Sequence, residues 1–396
     1  MRRRDEPDLR SGGRDRPRDG SARTAMMNLT RRDFLQLSGA SCLALAASPL
    51  PAAAGERPAV EARYYEKLPN KKIKCKLCPR ECAIDDRETG YCGARENRNG
   101  TYYTLVYGKP CTINIDPIEK KPLFHFHPGT TAFSTATAGC NINCKFCQNW
   151  EISQSRPEQI RSYDLNPQEF VAQCVEYKVP SIAYTYSEPV IFTEYMYDIC
   201  VEARKHNIKN VMISNGYIQE KPMRDLVGVL DAVKIDLKSF REQYYRDICE
   251  GELKPVLDTL LLLSGLSIWF EIVYLVVPTL NDGADELKDL SAWCVHNLGG
   301  HVPVHFTRFQ PQYRLKNLPP TPVATLEKAK KIHEDAGGQY VYIGNVPGHE
   351  AENTFCPSCS ELLIKRRLFD VRIVALRNGR CAKCGAAIPG VWNETG

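Results

Sequence analysis

The stretch AGCNINCKFCQNW (138–150) places cysteines at 140, 144 and 147, an aromatic residue at 146 and a tryptophan at 150. A structural zinc takes four protein ligands, and a catalytic zinc with three usually draws on histidine, so three thiolates on one short loop call for another explanation. Thiolates are soft donors that select zinc, copper or iron–sulfur. Three of them can hold three corners of a cubic four-iron cluster, leaving the fourth iron free to bind a small molecule through nitrogen and oxygen. The competing reading is a zinc completed by a histidine or carboxylate from elsewhere in the chain.

Eight more of the 17 cysteines are grouped. Cys356, Cys359, Cys381 and Cys384 form two Cys-x-x-Cys turns flanking the β-like run FDVRIVAL, the pattern of a tetrahedral four-sulfur site in a zinc-ribbon or rubredoxin-like module, with zinc the first choice and iron the second. Cys75, Cys78, Cys82 and Cys92 form a second set, for which zinc and an iron–sulfur cluster stay equally open. As a cluster it could relay electrons, and as a zinc site it would brace the barrel. The remaining six, Cys42, Cys111, Cys174, Cys200, Cys249 and Cys294, are scattered and read as small apolar residues. A disulfide framework suits a short secreted chain better than one of 396 residues.

The elements that must position the three-cysteine loop are legible between about 131 and 344. TAFSTAT, SIAYTY, NVMIS, DAVKIDL, IWFEIVYLVV, VPVHFTRF and YVYIG are β-like runs separated by helical stretches, one opening at Asn166-Pro167 ahead of FVAQCVEY and others near 190–206 and 284–298. Asn166-Pro167 with Glu169 predicts a capping box at the first of these helices. Such alternation predicts an α/β fold with a parallel sheet, too short for eight units and therefore a partial (β/α)6 TIM-like barrel. Ligands in such sheets bind at the carboxyl ends of strands, where the loop falls.

With Phe146 at the aromatic position, Cys-x-x-x-Cys-x-aromatic-Cys resembles the signature of the radical S-adenosylmethionine (radical SAM) superfamily. YTYSEP, SNGY, DAVKIDLK, VVPTLND and VYIGNVPGHE, with both flanking cysteine groups, are similar to the pyruvate formate-lyase activating enzyme-like branch, and within it to the radical SAM member of the AmmeMemoRadiSam system. The resemblance implies an oxidoreductase that cleaves S-adenosylmethionine reductively at a [4Fe-4S] cluster and removes a hydrogen through a 5′-deoxyadenosyl radical. It implies an electron donor such as flavodoxin or ferredoxin, and it suggests a protein substrate that no residue here specifies: a glycyl-radical enzyme or a partner from the three-component system.

Carried over residue by residue, the resemblance puts Phe146, Glu188, Asn215, Asp236 and Lys238 at S-adenosylmethionine. Glu188 matches the acid that holds the methionine amino group, although Tyr186-Ser187 stand where the family commonly has two glycines. Asn215 could bond the ribose or carboxylate, or simply form an Asn-Gly turn. Asp236 and Lys238 lie two apart, on one face of a strand, and correspond to a pair beside the methionine carboxylate; a buried ion pair filling the barrel is the alternative. A third acid of the family appears as Ile213, so no cation site carries over. His125 and His127 precede the first strand of the barrel and read as ordinary loop histidines.

Residues 1–25 hold eight arginines against five acids, which accounts for +3 of the net charge of +5. The remainder is too small to argue for nucleic acid. Residues 26–55 contain Arg31-Arg32, an uncharged stretch from Phe34 through Ala54 and a closing Ala52-Ala53-Ala54, a twin-arginine type signal that predicts export through the Tat translocon to the periplasm or cell envelope. The cytoplasm is the alternative, because S-adenosylmethionine and low-potential reductants belong there. The expected organisation is thus 1–25 disordered or a mis-assigned start, 26–55 signal, 70–124 a cysteine-rich N-terminal module, 125–345 the radical SAM core and 350–396 the C-terminal metal module. The rival class is a non-catalytic exported iron–sulfur or zinc protein engaged in binding or electron transfer.

Overall fold

The computed structural model describes residues 59–392, so the arginine-paired segment and everything before it lie outside the described residues. Eight strands form one open sheet, whose spatial order follows the sequence. They are β1 (Thr112–Pro117), β2 (Thr131–Ala136), β3 (Ser181–Tyr184), β4 (Lys209–Ser214), β5 (Ala232–Asp236), β6 (Trp269–Val276), β7 (Val304–Arg308) and β8 (Val341–Gly344). All neighbours from β2 to β8 pair in parallel, and β1 pairs antiparallel with β2. Helices α1 (Pro167–Glu176), α2 (Thr193–Lys205), α3 (Glu220–Val227), α4 (Leu253–Ser264), α5 (Ala284–Leu298) and α6 (Val323–Asp335) make the six crossovers. This is the α/β partial barrel that the strand–helix alternation predicts. Strand β1, in the segment given to the front module on sequence, belongs to the barrel sheet.

The strands read as nearly continuous apolar runs because both faces are buried. On β4 and β5, Val211, Ile213 and Ala232 face one cluster, while Met212, Val233 and Ile235 join the other. Ala183, Val211 and Ala232 are register partners on adjacent strands, and small side chains there leave room for Ile118, Leu123 and Phe126 to plug the amino-terminal end of the barrel. Helix α1 begins with the expected capping box. The Asn166 side chain accepts from the Glu169 N–H at 2.8 Å, and the Glu169 carboxylate accepts from the Asn166 N–H at 2.7 Å.

Two small modules attach to this core. In front, strands 65–67, 73–75 and 83–84 form one antiparallel sheet, and 60–61, 101–104 and 95–98 form another. Behind, strands 354–355, 362–367 and 370–373 form the tail sheet. The tail is bolted to the amino-terminal end of the barrel by polar groups with few exposed atoms. Arg366 donates to the carbonyl of Phe124 at 2.7 Å and to Thr354 Oγ1 at 2.8 Å. His125 bridges Pro389 O and Tyr342 Oη, both at 2.6 Å. His125 is thus buried in the joint, in keeping with an ordinary structural histidine, and burial lowers its pKa to about 4.

Candidate active site

The three-cysteine loop leaves the carboxyl end of β2. Gly139 has φ +104°, and a Cβ there would lie 2.5 Å from the carbonyl oxygen of Cys92 in the front module. Only glycine accepts both the left-handed backbone and that approach. The loop is pinned on its far side by residues 248 and 249: Asn143 N–H donates to Cys249 O at 2.8 Å, and Lys145 N–H to Ile248 O at 2.9 Å. The thiol of Cys147 lies 3.2 Å from Ser153 Oγ. Phe146 is buried, with its ring 6.2 Å from that of Tyr244 and 5.9 Å from the ammonium of Lys238.

Glu188 follows β3 and is 3% exposed. Its carboxylate accepts from Ser214 Oγ at 2.7 Å, from Asn215 N–H at 2.9 Å and from Val190 N–H at 3.1 Å. Burial outweighs these donors and raises its pKa to about 7. Asn215, at the end of β4, extends its amide to Asn141 Oδ1 at 2.8 Å, with Cys140 Sγ at 4.0 Å. Its own Oδ1 accepts from Tyr217 N–H at 2.8 Å, which closes the turn at Gly216. Glu188 thus holds the backbone of Asn215, whose side-chain amide reaches Asn141 and Cys140 of the loop.

Asp236 ends β5, and its carboxylate is shared by Lys234 and by Lys238, the latter at 2.8 Å. Burial works against the charge on Asp236, but the two ammonium groups override it and hold the pKa at about 2. The expected pair is in fact a triad, and Lys234 is the member that sequence spacing did not single out. Tyr186, standing where the family has glycine, has φ +63°, a conformation that disfavours a tyrosine. Its hydroxyl reaches the Asp116 carboxylate and the Lys121 ammonium sits 4.4 Å over its ring, so contacts hold a residue that the backbone alone would reject.

Two further residues escaped the sequence reading. Cys249, classed as a scattered apolar cysteine, lies against Cys144, and that contact together with burial pushes the Cys144 thiol well up. Arg80, between Cys78 and Cys82, donates Nε to the carbonyl of Asn141 at 2.5 Å, and its guanidinium also reaches the carbonyl of Glu250. Neither carried a signal in the sequence, since both contacts join segments more than 60 residues apart.

The cysteine sets differ in spacing. The four tail sulfurs all lie within 4.8 Å of one another, with Cys356–Cys384 at 3.6 Å and Cys359–Cys381 at 3.7 Å. Four thiolates each about 2.3 Å from one ion sit about 3.8 Å apart, so the tail fits a single metal ion. Among the described residues no other group of three or more cysteine, histidine or acidic side chains converges so tightly. Cys140, Cys144 and Cys147 do not all lie within 4.8 Å of one another, and thiolates that each bind a different iron of a cluster need not.

Residues 134–291 match the sequence model of the Radical SAM superfamily. An uncharacterized protein of Methanocaldococcus jannaschii is 47% identical over 330 residues, which cover 83% of this chain and 98% of that relative. A second uncharacterized protein of the same organism is 26% identical over 263 residues, 62% of this chain and 68% of the relative. Among solved structures, a domain of pyruvate-formate lyase-activating enzyme from Bacteroides vulgatus is similar with a TM-score of 0.37 at 16% identity, covering 41% of this chain and 98% of that domain. The barrel and its three-cysteine loop define a radical SAM protein. This chain belongs to the radical SAM superfamily, whose members are enzymes that use a [4Fe-4S] cluster and S-adenosylmethionine.

Proposed function

We propose that Cys140, Cys144 and Cys147 hold the cluster and that Glu188, Asn215, Asp236, Lys238 and Phe146 hold S-adenosylmethionine against it. The observation that carries this reading is the buried Glu188 carboxylate, linked through Asn215 to the cysteine loop. In this reading the ionised Glu188 accepts from the methionine amino group, and the Lys238 ammonium pairs with the methionine carboxylate. A cluster held by Cys140, Cys144 and Cys147 would supply the electron for reductive cleavage of S-adenosylmethionine to the 5′-deoxyadenosyl radical. The protein excludes water from that radical: Phe146, Ile142 and Tyr244 are all buried around the loop.

The substrate we assign is a protein, either a glycyl-radical enzyme or a partner from the AmmeMemoRadiSam system, with a flavodoxin or ferredoxin as donor and zinc in the tail. The support is the run of motifs shared with the activating-enzyme branch. Export as a folded, cofactor-loaded protein is part of the same proposal, and recovery of an intact, uncut chain from the soluble cytoplasm would refute that part. Among the described residues no helix is long and apolar enough to cross a membrane.

Anaerobic reconstitution followed by reduction with S-adenosylmethionine present tests the enzyme directly. The expected result is 5′-deoxyadenosine that disappears in Cys144→Ala. A well-formed four-iron spectrum without any cleavage would instead favour a non-catalytic binding or electron-transfer protein.

A further inference from the structure

Cys75, Cys78, Cys82 and Cys92 line one cavity in the front module, together with Arg80, Arg95 and Asn141. Their convergence is a tertiary event. Cys75 ends a strand and its N–H donates to Cys82 O at 2.9 Å, Cys78 and Glu81 close the turn between them at 3.1 Å, and Cys92 arrives from the turn that follows Gly90. Yet no three of these thiols lie within 4.8 Å of one another, whereas all four tail thiols do. The same molecule thus provides a scale. The tail set has the spacing of ligands to one ion; neither the front set nor Cys140, Cys144 and Cys147 of the barrel loop meets that 4.8 Å spacing. A single zinc draws its four sulfurs to about 3.8 Å from one another, but a cluster binds each sulfur to a separate iron and needs them apart.

The front cavity also abuts the cysteine loop of the barrel. The Cys92 carbonyl oxygen lies 2.5 Å from where a Cβ on Gly139, the residue before Cys140, would sit, so the two backbones pass close together. Arg80, between two front cysteines, is bonded to the carbonyl of Asn141, the residue after Cys140. Asn141 itself lines the front cavity. Two routes, Cys92 to Gly139-Cys140 and Cys78-Pro79-Arg80 to Asn141-Cys140, run along the backbone and side chains and each cross between the sites at one non-covalent contact. A merely bracing zinc requires no such proximity.

We propose that Cys75, Cys78, Cys82 and Cys92 hold a second four-iron cluster, which passes electrons to the cluster on Cys140, Cys144 and Cys147; the relay role rests on the radical SAM reading of that loop. A low-potential one-electron donor protein reduces the front cluster from its 2+ to its 1+ state. The front cluster returns to 2+ by giving that electron to the barrel cluster, which goes from 2+ to 1+, and no proton or bond is exchanged in the transfer.

Metal and acid-labile sulfide analysis of the anaerobically reconstituted full chain tests the site. The expected sulfide content is about eight per chain, with one metal ion left for the tail; about four sulfides with two zinc ions overturns the proposal. The Cys140→Ala, Cys144→Ala, Cys147→Ala triple variant leaves the front ligands intact. It is expected to keep about four sulfides and, on reduction, a paramagnetic signal that S-adenosylmethionine does not alter. Loss of all sulfide in this variant overturns the front cluster, whereas retention there with no S-adenosylmethionine-sensitive signal in the wild type overturns the radical SAM reading alone. For the relay, Cys78→Ala, Cys82→Ala is expected to slow reduction of the barrel cluster by a flavodoxin-type donor at least about tenfold. An unchanged rate, with the front sulfide gone, removes the relay role.

Discussion

The carboxylate of Glu188, after β3, accepts the backbone N–H of Asn215, at the end of β4, over 2.9 Å. This bond ties two adjacent strand ends together and aims a buried acid at the loop beside them. Its pKa of about 7 lies above the ordinary value of 4.5. Between those values the folded state binds the extra proton, so this residue makes stability fall as pH rises through the window, and the effect levels off above about 7.

The proposed contact with the methionine amino group needs the ionised form, which accepts a hydrogen bond from it. S-adenosylmethionine affinity is therefore expected to fall as pH drops below about 7, where Glu188 takes up its proton. Glu188→Gln should flatten the profile and weaken binding by about 1.5–3 kcal/mol, the worth of a hydrogen bond to a charged group. Equilibrium dialysis of the reconstituted protein across pH checks both; a pH-independent wild type would sink the assignment.

Gly139→Ala is expected to cost about 1–2 kcal/mol for its left-handed backbone alone, with more from collision with the Cys92 carbonyl. Because the strain falls on the cysteine loop, iron retention should drop along with the urea midpoint. Full iron with an unchanged midpoint would show that the loop accommodates a methyl group.

Arg95 and Glu194 form a buried ion pair, with Arg95 Nη1 donating to Glu194 Oε1 at 2.9 Å and Nη2 to Oε2 at 2.5 Å. Glu194→Gln leaves a guanidinium in the core without its countercharge and should destabilise by about 3–5 kcal/mol. The double change Arg95→Met, Glu194→Leu removes both charges and should recover most of that loss. Denaturant unfolding of the two variants separates charge burial from packing.

Removal of the tail metal by a chelator should unfold the tail without melting the barrel, because the tail's own apolar cluster is small. Hydrogen exchange is expected to accelerate over 354–392 while the strands from 131 to 344 stay protected. The Trp392 indole, which donates to Ile388 O at 2.8 Å, offers a fluorescence signal for the same event. A tail that keeps its protection after the metal is gone would contradict this account.

Much of this architecture is local and hence legible in the chain. Short β-like runs alternating with helical stretches marked the seven parallel strands, Asn166-Pro167 with Glu169 marked the helix start, and cysteine spacing marked all three thiol sets. Strand β1 escaped because TINIDP mixes polar and apolar residues and earns its place only by antiparallel pairing with β2. Tyr186 looked like a departure from a glycine pattern; the fold keeps the left-handed backbone and supplies Asp116 and Lys121 to hold the larger side chain.

By itself, then, the amino-acid sequence determined which side chains could do chemistry and which strand end would carry the three cysteines, since both depend on residue type and short-range period. Only the tertiary structure decided distances between thiols, because those depend on how separate turns converge. It set the four tail sulfurs within 4.8 Å of one another and brought the front four to the lining of one cavity. It also brought Arg80 to Asn141, Cys92 to Gly139 and Cys249 to Cys144, contacts made by packing between segments that are remote in the chain.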